Sequence, residues 1–158
     1  MDIFLYGSGH LTCSTALAIA KGLVRGAISS DVRNKIDQSA SYVSKIVGRG
    51  EVVYGINTGF GPLCTTRIDA GQTQLLQENI LKSHAVGVGE PISDDLAKLM
   101  LILKVHALSK GFSGVQYSTI ERMIWHIEND IIPVVPKQGS VGASGDLAPL
   151  SHLFLPLI

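Results

Sequence analysis

Apolar residues recur at helical spacing along five stretches of this chain, and that periodicity leaves room for little besides helices. After Thr12, a natural N-cap, Ala16, Leu17, Ala20 and Leu23 fall on one face before Gly26. Ser30 to Val47 carries Val32, Ile36, Val43 and Val47, with Gly48 as the stop. Asp69 caps a third stretch with Leu75, Leu76, Ile80 and Leu81. A fourth follows Pro91 and Ser93, turns Leu96, Leu99, Met100, Leu103 and Ala107 inward, and ends at Gly111. The fifth, Ser113 to Asn129, buries Ile120, Met123, Ile124 and Ile127 and stops before Pro133 and Pro136. The pattern predicts a mainly α fold, with residues 1–158 as one helical domain and glycine-rich loops between its elements.

Size and charge narrow the function classes. The chain has 158 residues, enough for one core, and its 16% charged and 46% apolar content excludes disorder. Thirteen Lys and Arg balance thirteen Asp and Glu, so no basic excess exists to hold nucleic acid or an anionic membrane. A neutral, lightly charged surface favours self-association, and a homo-oligomer is expected. Cys13 and Cys64 match neither zinc nor redox spacing and read as reduced thiols. The N-terminus lacks the basic flank of a signal peptide, and apolar runs such as Leu99 to Leu103 are far too short for a membrane span. The expected location is cytoplasmic. The last residues, His152 to Ile158, stop inside an apolar segment, which reads as a fragment of a longer chain.

Two segments do not read as packing. Tyr54-Gly-Ile-Asn-Thr-Gly-Phe-Gly61 and Lys137-Gln-Gly-Ser-Val-Gly-Ala-Ser-Gly-Asp146 each hold three glycines, a density that costs backbone entropy in any helix or strand. Neither is a phosphate loop. Pro62 follows Gly61 where a dinucleotide fingerprint would continue, and no Gly-Lys-Ser/Thr is present, so no nucleotide is expected. Ser144 resembles a nucleophile elbow, except that Asp146 stands where that motif has glycine. The five histidines (His10, His84, His106, His126, His152) contain no i, i+4 pair and no adjacent Glu, so no metal is expected. Four of them read as helix-surface or satisfied core residues. His84 closes a helix in Ser83-His-Ala-Val-Gly-Val-Gly89, and from the residues alone a ligand role and a structural one both stay open. Tyr54 is likewise open between a half-buried aromatic and a base on a loop.

Taken together, Tyr54–Gly61, Ser83-His84-Ala-Val-Gly, Gly111-Phe-Ser-Gly114 and Gly139-Ser-Val-Gly-Ala-Ser-Gly-Asp-Leu-Ala-Pro149 resemble, in that order, the aromatic amino acid ammonia-lyases, nearest to the histidine ammonia-lyase branch. The resemblance runs from Gly9 to the end of the chain. It implies that Ala143-Ser144-Gly145 closes on itself into 4-methylidene-imidazol-5-one: the Gly145 nitrogen attacks the Ala143 carbonyl, and two waters leave, one with the Ser144 hydroxyl. Small neighbours suit that step because backbone must approach backbone. Asp146 is then a proton-handling group or a helix N-cap. The resemblance further implies Tyr54 as the base for the substrate β-proton and His84 as a contact to the substrate imidazole. Asn57 with Ser83-His84 leans towards L-histidine, giving trans-urocanate and ammonia. Whether the substrate amine or its ring meets the electrophile stays open.

The resemblance implies a homotetramer whose sites combine subunits, and a chain several hundred residues longer. One local departure is Val115-Gln116, where many relatives carry a basic residue after Gly-Phe-Ser-Gly. Two alternatives stand beside histidine deamination: a tyrosine or phenylalanine lyase or aminomutase, and a catalytically silent, truncated self-associating module.

Overall fold

The computed structural model describes residues 1–59, 68, 70–140 and 145–158; Asp69, Cys64, Gly142, Ala143 and Ser144 lie outside the described residues. Among the described residues six α-helices dominate: α1 Cys13–Ala20, α2 Ser30–Arg49, α3 Thr73–His84, α4 Asp94–Leu108, α5 Tyr117–Glu128 and α6 Leu147–Phe154. The fold is mainly α, as the periodicity predicts. Four short strands accompany the helices: β1 Asp2–Leu5, β2 Val24–Ala27, β3 Val88–Pro91 and β4 Pro136–Gln138. Two parallel strands, β1 and β2, pair with Asp2 opposite Val24 and Leu5 opposite Ala27, bridged by α1. The antiparallel pair β3–β4 sets Val88 opposite Gln138 and Pro91 opposite Pro136.

Helix starts follow their caps. The side chains of Thr12, Ser29 and Ser93 accept from the backbone amides of Thr15, Val32 and Leu96, satisfying donors that the first turn leaves unpaired. Several boundaries shift from the sequence expectation. Helix α1 stops at Ala20, and the stretch from Leu23 that periodicity joins to it instead feeds β2; Leu17 and Leu23 are exposed, while Ala16 and Ile19 are buried. Strand pairing with β1 supplies the hydrogen bonds that a longer helix would have made. Helix α2 runs past Gly48 to Arg49 and ends on Gly50, whose left-handed φ of 69° closes the last turn onto Val47. Helix α5 starts at Tyr117 rather than Ser113, because Gly114 is held back by donating to the Ser39 hydroxyl at 3.0 Å.

The core gathers on α4. Its buried face is Ala97, Leu101, Ile102 and Val105; of the expected inward residues, Leu99 and Met100 are half-buried against the core, while Leu96, Leu103 and Ala107 are exposed. With Leu at both faces, periodicity alone does not say which one packs inward. Ile19 of α1, Val32 and Ile36 of α2, and Ile120, Met123 and Ile127 of α5 complete the cluster, joined by Val135 and Leu153. Each fully buried side chain of this size contributes about 1.5–3 kcal/mol of transfer free energy. Among the described residues, no helix is long and apolar enough to cross a membrane.

Tyr6 anchors the edge of this core. It is 1% exposed, meets Phe4 edge to face at 5.7 Å, and covers Gly26 of β2 so closely that a methyl there would overlap its ring. Burial first, then the Glu128 charge, pushes its phenol well above the usual range, so it packs as a neutral group. Gly26→Ala is therefore expected to cost about 1–3 kcal/mol through overpacking, read from the urea midpoint at unchanged slope.

His106 ties the N-terminal segment to α4 by accepting the Gly7 amide at its Nδ1, 3.3 Å away. Partial burial, then the charges of Lys110 and His10, lowers its pKa from the ordinary 6.5. The unfolded chain then takes up the proton more readily than the folded one. Its contribution is fully present above the unfolded value and is lost as pH falls through the lowered folded value. The melting temperature should drop across that window, and His106→Asn, which keeps an acceptor without the titration, should flatten the drop.

Candidate active site

The first glycine-rich segment is a loop hung on the end of α2. The amides of Ile56 and Asn57 both return to the Val53 carbonyl, at 3.1 and 3.3 Å, making a tight turn around Tyr54 and Gly55. Asn57 is 2% exposed, and both ends of its carboxamide are used on that same loop: Oδ1 accepts from the Val53 amide at 2.9 Å and Nδ2 donates to the Glu51 carbonyl at 2.6 Å. Its own carbonyl accepts from Ile68 at 2.9 Å. Tyr54 is 63% exposed at the head of the turn. Phe60 and Gly61, which finish the motif, lie outside the described residues.

His84 is the last residue of α3, where the helix dipole leaves its negative end. Its Nδ1 lies 2.8 Å from the Ile80 carbonyl and 3.0 Å from the Ser83 hydroxyl. A carbonyl only accepts, so Nδ1 carries the hydrogen and Nε2 is the acceptor of the neutral ring. That arrangement presents one lone pair to whatever faces the ring.

The chain then turns sharply. Ala85, at φ −78° and ψ 62°, makes an inverse γ-turn in which the Val86 amide donates to the His84 carbonyl at 2.9 Å. Gly87 follows, and Gly139 from the second glycine-rich segment lies against it: a Cβ at Gly139 would come within 2.8 Å of the Gly87 Cα. A side chain at Gly139 would force the two backbones apart, while one at Gly87 would press on the His152 ring and the Gln138 carbonyl. Beyond Gly139, the Ser140 hydroxyl donates to the Asp146 carboxylate, tying together the two ends of the segment that holds Ala143 and Ser144. Asp146 precedes α6 but makes no side-chain cap bond, so the N-cap alternative gives way to this tie. Gly145 sits at φ +83° with nothing within 4 Å of an added Cβ; left-handed backbone, not crowding, is what favours glycine there.

His84 and the flanks of residues 141–144 thus meet through Gly87 and Gly139, whereas Tyr54 belongs to the loop after α2. Sequence reasoning treated His152 as packing; its Nε2 in fact accepts the Gly87 amide at 2.9 Å, a contact across 65 residues that no local pattern signals. An apolar groove of about 570 Å³ lined by Ile80, Leu81, Met123 and Phe154 contains none of these groups. Among the described residues, no three His, Cys, Asp or Glu are grouped to hold a metal.

The family model for aromatic amino acid lyase matches residues 11–158, and the chain belongs to that family. It is 44% identical over 158 residues to the histidine ammonia-lyase of Shewanella sediminis (strain HAW-EB3), covering all of this chain and 31% of that protein. Among solved structures, histidine ammonia-lyase from Trypanosoma cruzi superposes with a TM-score of 0.83 at 35% identity, over 98% of this chain and 29% of the other. The ergothioneine-degrading ergothionase of Treponema denticola shares the fold, with a TM-score of 0.92 at 24% identity over 99% of this chain and 31% of its own. The chain thus spans about a third of the length of the relatives it matches.

Removing the Asn57 carboxamide should loosen the loop that carries Tyr54. In Asn57→Ala, amide exchange at Val53 should accelerate about tenfold or more, since one net hydrogen bond is worth roughly 1 kcal/mol and a buried backbone donor is left unpaired. Amides in α4 should keep their wild-type rates.

Proposed function

We propose that this chain supplies the catalytic loops of an ammonia-lyase that converts L-histidine to trans-urocanate and ammonia. The observation that carries the reading is the packing of Gly87 on Gly139, which holds the His84 segment beside the flank of Ala143-Ser144-Gly145. Identity of 44% to a histidine ammonia-lyase along the whole chain supports the choice of substrate.

The described residues fit a self-formed 4-methylidene-imidazol-5-one. The Ser140–Asp146 bond draws the ends of the tripeptide's segment together, and left-handed Gly145 leaves its backbone nitrogen uncovered by any side chain of its own. The group would supply an electron-accepting centre that makes loss of the α-amino group feasible. Around it, this chain's residues bind and move protons. His84, with hydrogen on Nδ1, offers Nε2 to an N–H of the substrate imidazole. Tyr54 removes the β-proton, and the C–H electrons become the new double bond as the α C–N bond breaks. Asp146, anchored by Ser140, handles protons at the loop. No electrons enter or leave overall, and the products carry every atom of the substrate.

The same reading places residues 1–158 as the N-terminal helical part of a longer cytoplasmic chain that assembles as a homotetramer. Exposed apolar side chains such as Leu96, Leu103 and Phe112 supply surface for such packing.

The test begins with the intact mass of the purified protein. A deficit of two waters is expected, mapped to the peptide bearing Ala143-Ser144-Gly145 and absent in Ser144→Ala. Tyr54→Phe should keep the deficit while lowering turnover of L-histidine by about 10²–10⁴-fold, the usual worth of a general base. A full-length enzyme in which Ser144→Ala retains activity, or which forms a cinnamate-type acid instead of urocanate, would overturn the reading.

A further inference from the structure

His152 has no part in the chemistry above, yet it occupies the point where three pieces of the site converge. It is the sixth residue of α6, the helix that starts directly after the proposed ring-forming tripeptide. Its Nε2 accepts the Gly87 amide at 2.9 Å. Gly87 in turn is joined to His84 by the inverse γ-turn at Ala85, closed by the Val86 amide on the His84 carbonyl. The γ-turn spans His84 to Val86, so Gly87 is the next residue along the chain and a single peptide link joins it to the turn. The same Gly87 backs onto Gly139, on the other side of the tripeptide.

The space around Gly87 is shaped for this contact. A Cβ there would come within 3.0 Å of His152 Nε2, 3.1 Å of its Cδ2 and 3.1 Å of the Gln138 carbonyl. The imidazole therefore lies flush against the glycine. A backbone amide donates only to a lone pair, so Nε2 is unprotonated and the hydrogen of the neutral ring is on Nδ1. In the other tautomer, two N–H groups would face each other across 2.9 Å.

We propose that His152 is a positioning residue: by holding the Gly87 amide, it sets the offset between His84 at the end of α3 and the start of α6 at Leu147, two residues after Gly145. This rests on the reading of His84 as the contact to the substrate ring. In this proposal His152 acts through Gly87 rather than on the substrate. Its effect is to hold the segment that is exposed at Val86 and Val88 against α6.

Two measurements test this separately. The first needs no turnover. In the ¹⁵N-labelled chain, long-range imidazole spectra should show His152 as the Nδ1–H tautomer, and the Gly87 amide should be protected from exchange. His152→Leu should accelerate exchange at Gly87 by about tenfold, whereas His152→Gln, whose amide oxygen can reach the same position, should retain most of the protection. An Nε2–H tautomer, or equal Gly87 exchange in wild type and His152→Leu, would overturn the bond. The second uses the enzyme: His152→Leu should raise the KM for L-histidine about fivefold to tenfold with a smaller change in kcat, and His152→Gln should restore it. An unchanged KM in a folded His152→Leu enzyme would overturn the positioning role. A parent enzyme that does not turn over L-histidine would overturn the reading of His84 instead, and the tautomer and exchange data would still decide the bond.

Discussion

Backbone against backbone at Gly87 and Gly139 is the contact on which the candidate site depends. Segments separated by some fifty residues approach this closely because Gly139 carries no side chain, where a Cβ would overlap the Gly87 Cα. The antiparallel pair β3–β4 runs up to this point, with Val88 opposite Gln138, so strand pairing brings the two glycines into register. Strands of three or four residues are too short to be stable alone. They persist because the Ile92 amide reaches the Val135 carbonyl at 2.9 Å, and Val135 is part of the main core. The small sheet is thus an extension of the helical core towards the loops.

That core has a division of labour. Helix α4 packs against α1 and α5 through Ala97, Leu101, Ile102 and Val105, and makes no direct contribution to the candidate chemistry. Helices α3 and α6 pack on each other and present their useful groups at their ends: His84 closes α3, and Gly145 and Asp146 open α6. Helix ends carry unpaired backbone groups and a partial charge, while their cylinders stay rigid through packing. Placing reactive groups on the first or last turn therefore combines a polar setting with a fixed position.

Much of this was legible in the sequence, for reasons that differ by residue. The caps Thr12, Ser29 and Ser93 use local bonds over three residues, so their signal is complete in a short window, and Thr12 is legible as a cap from the sequence alone. The inward face of α4 was not legible, because Leu96 and Leu103 are as apolar as Leu101 and Ile102, and only the position of α1 and α5 decides between them. Strand β1 was missed for a related reason: Asp2–Leu5 becomes a strand by pairing with Val24–Ala27, a partner beyond an intervening helix. Glycine density set the two segments of the candidate site apart from the helices. The roles of Ser140 and His152 were hidden, since each depends on a partner that local spacing does not reveal.

Asn57 shows how a specificity signal can be real and yet indirect. The sequence associates it with His84 and the choice of histidine, but its carboxamide has two polar ends and both are already bonded to the backbone of residues 51–53. The carboxamide has two lone pairs and two N–H groups, so these bonds use one of each and leave one of each. At 2% exposure the side chain is enclosed, and its two bonds brace the turn around Tyr54 and Gly55. On the proposed reading, its influence on the substrate passes through where the Tyr54 phenol stands. On the same proposal, recognition of the ring falls to the Nε2 of His84, the lone pair that the Ile80 carbonyl, by claiming Nδ1, leaves available.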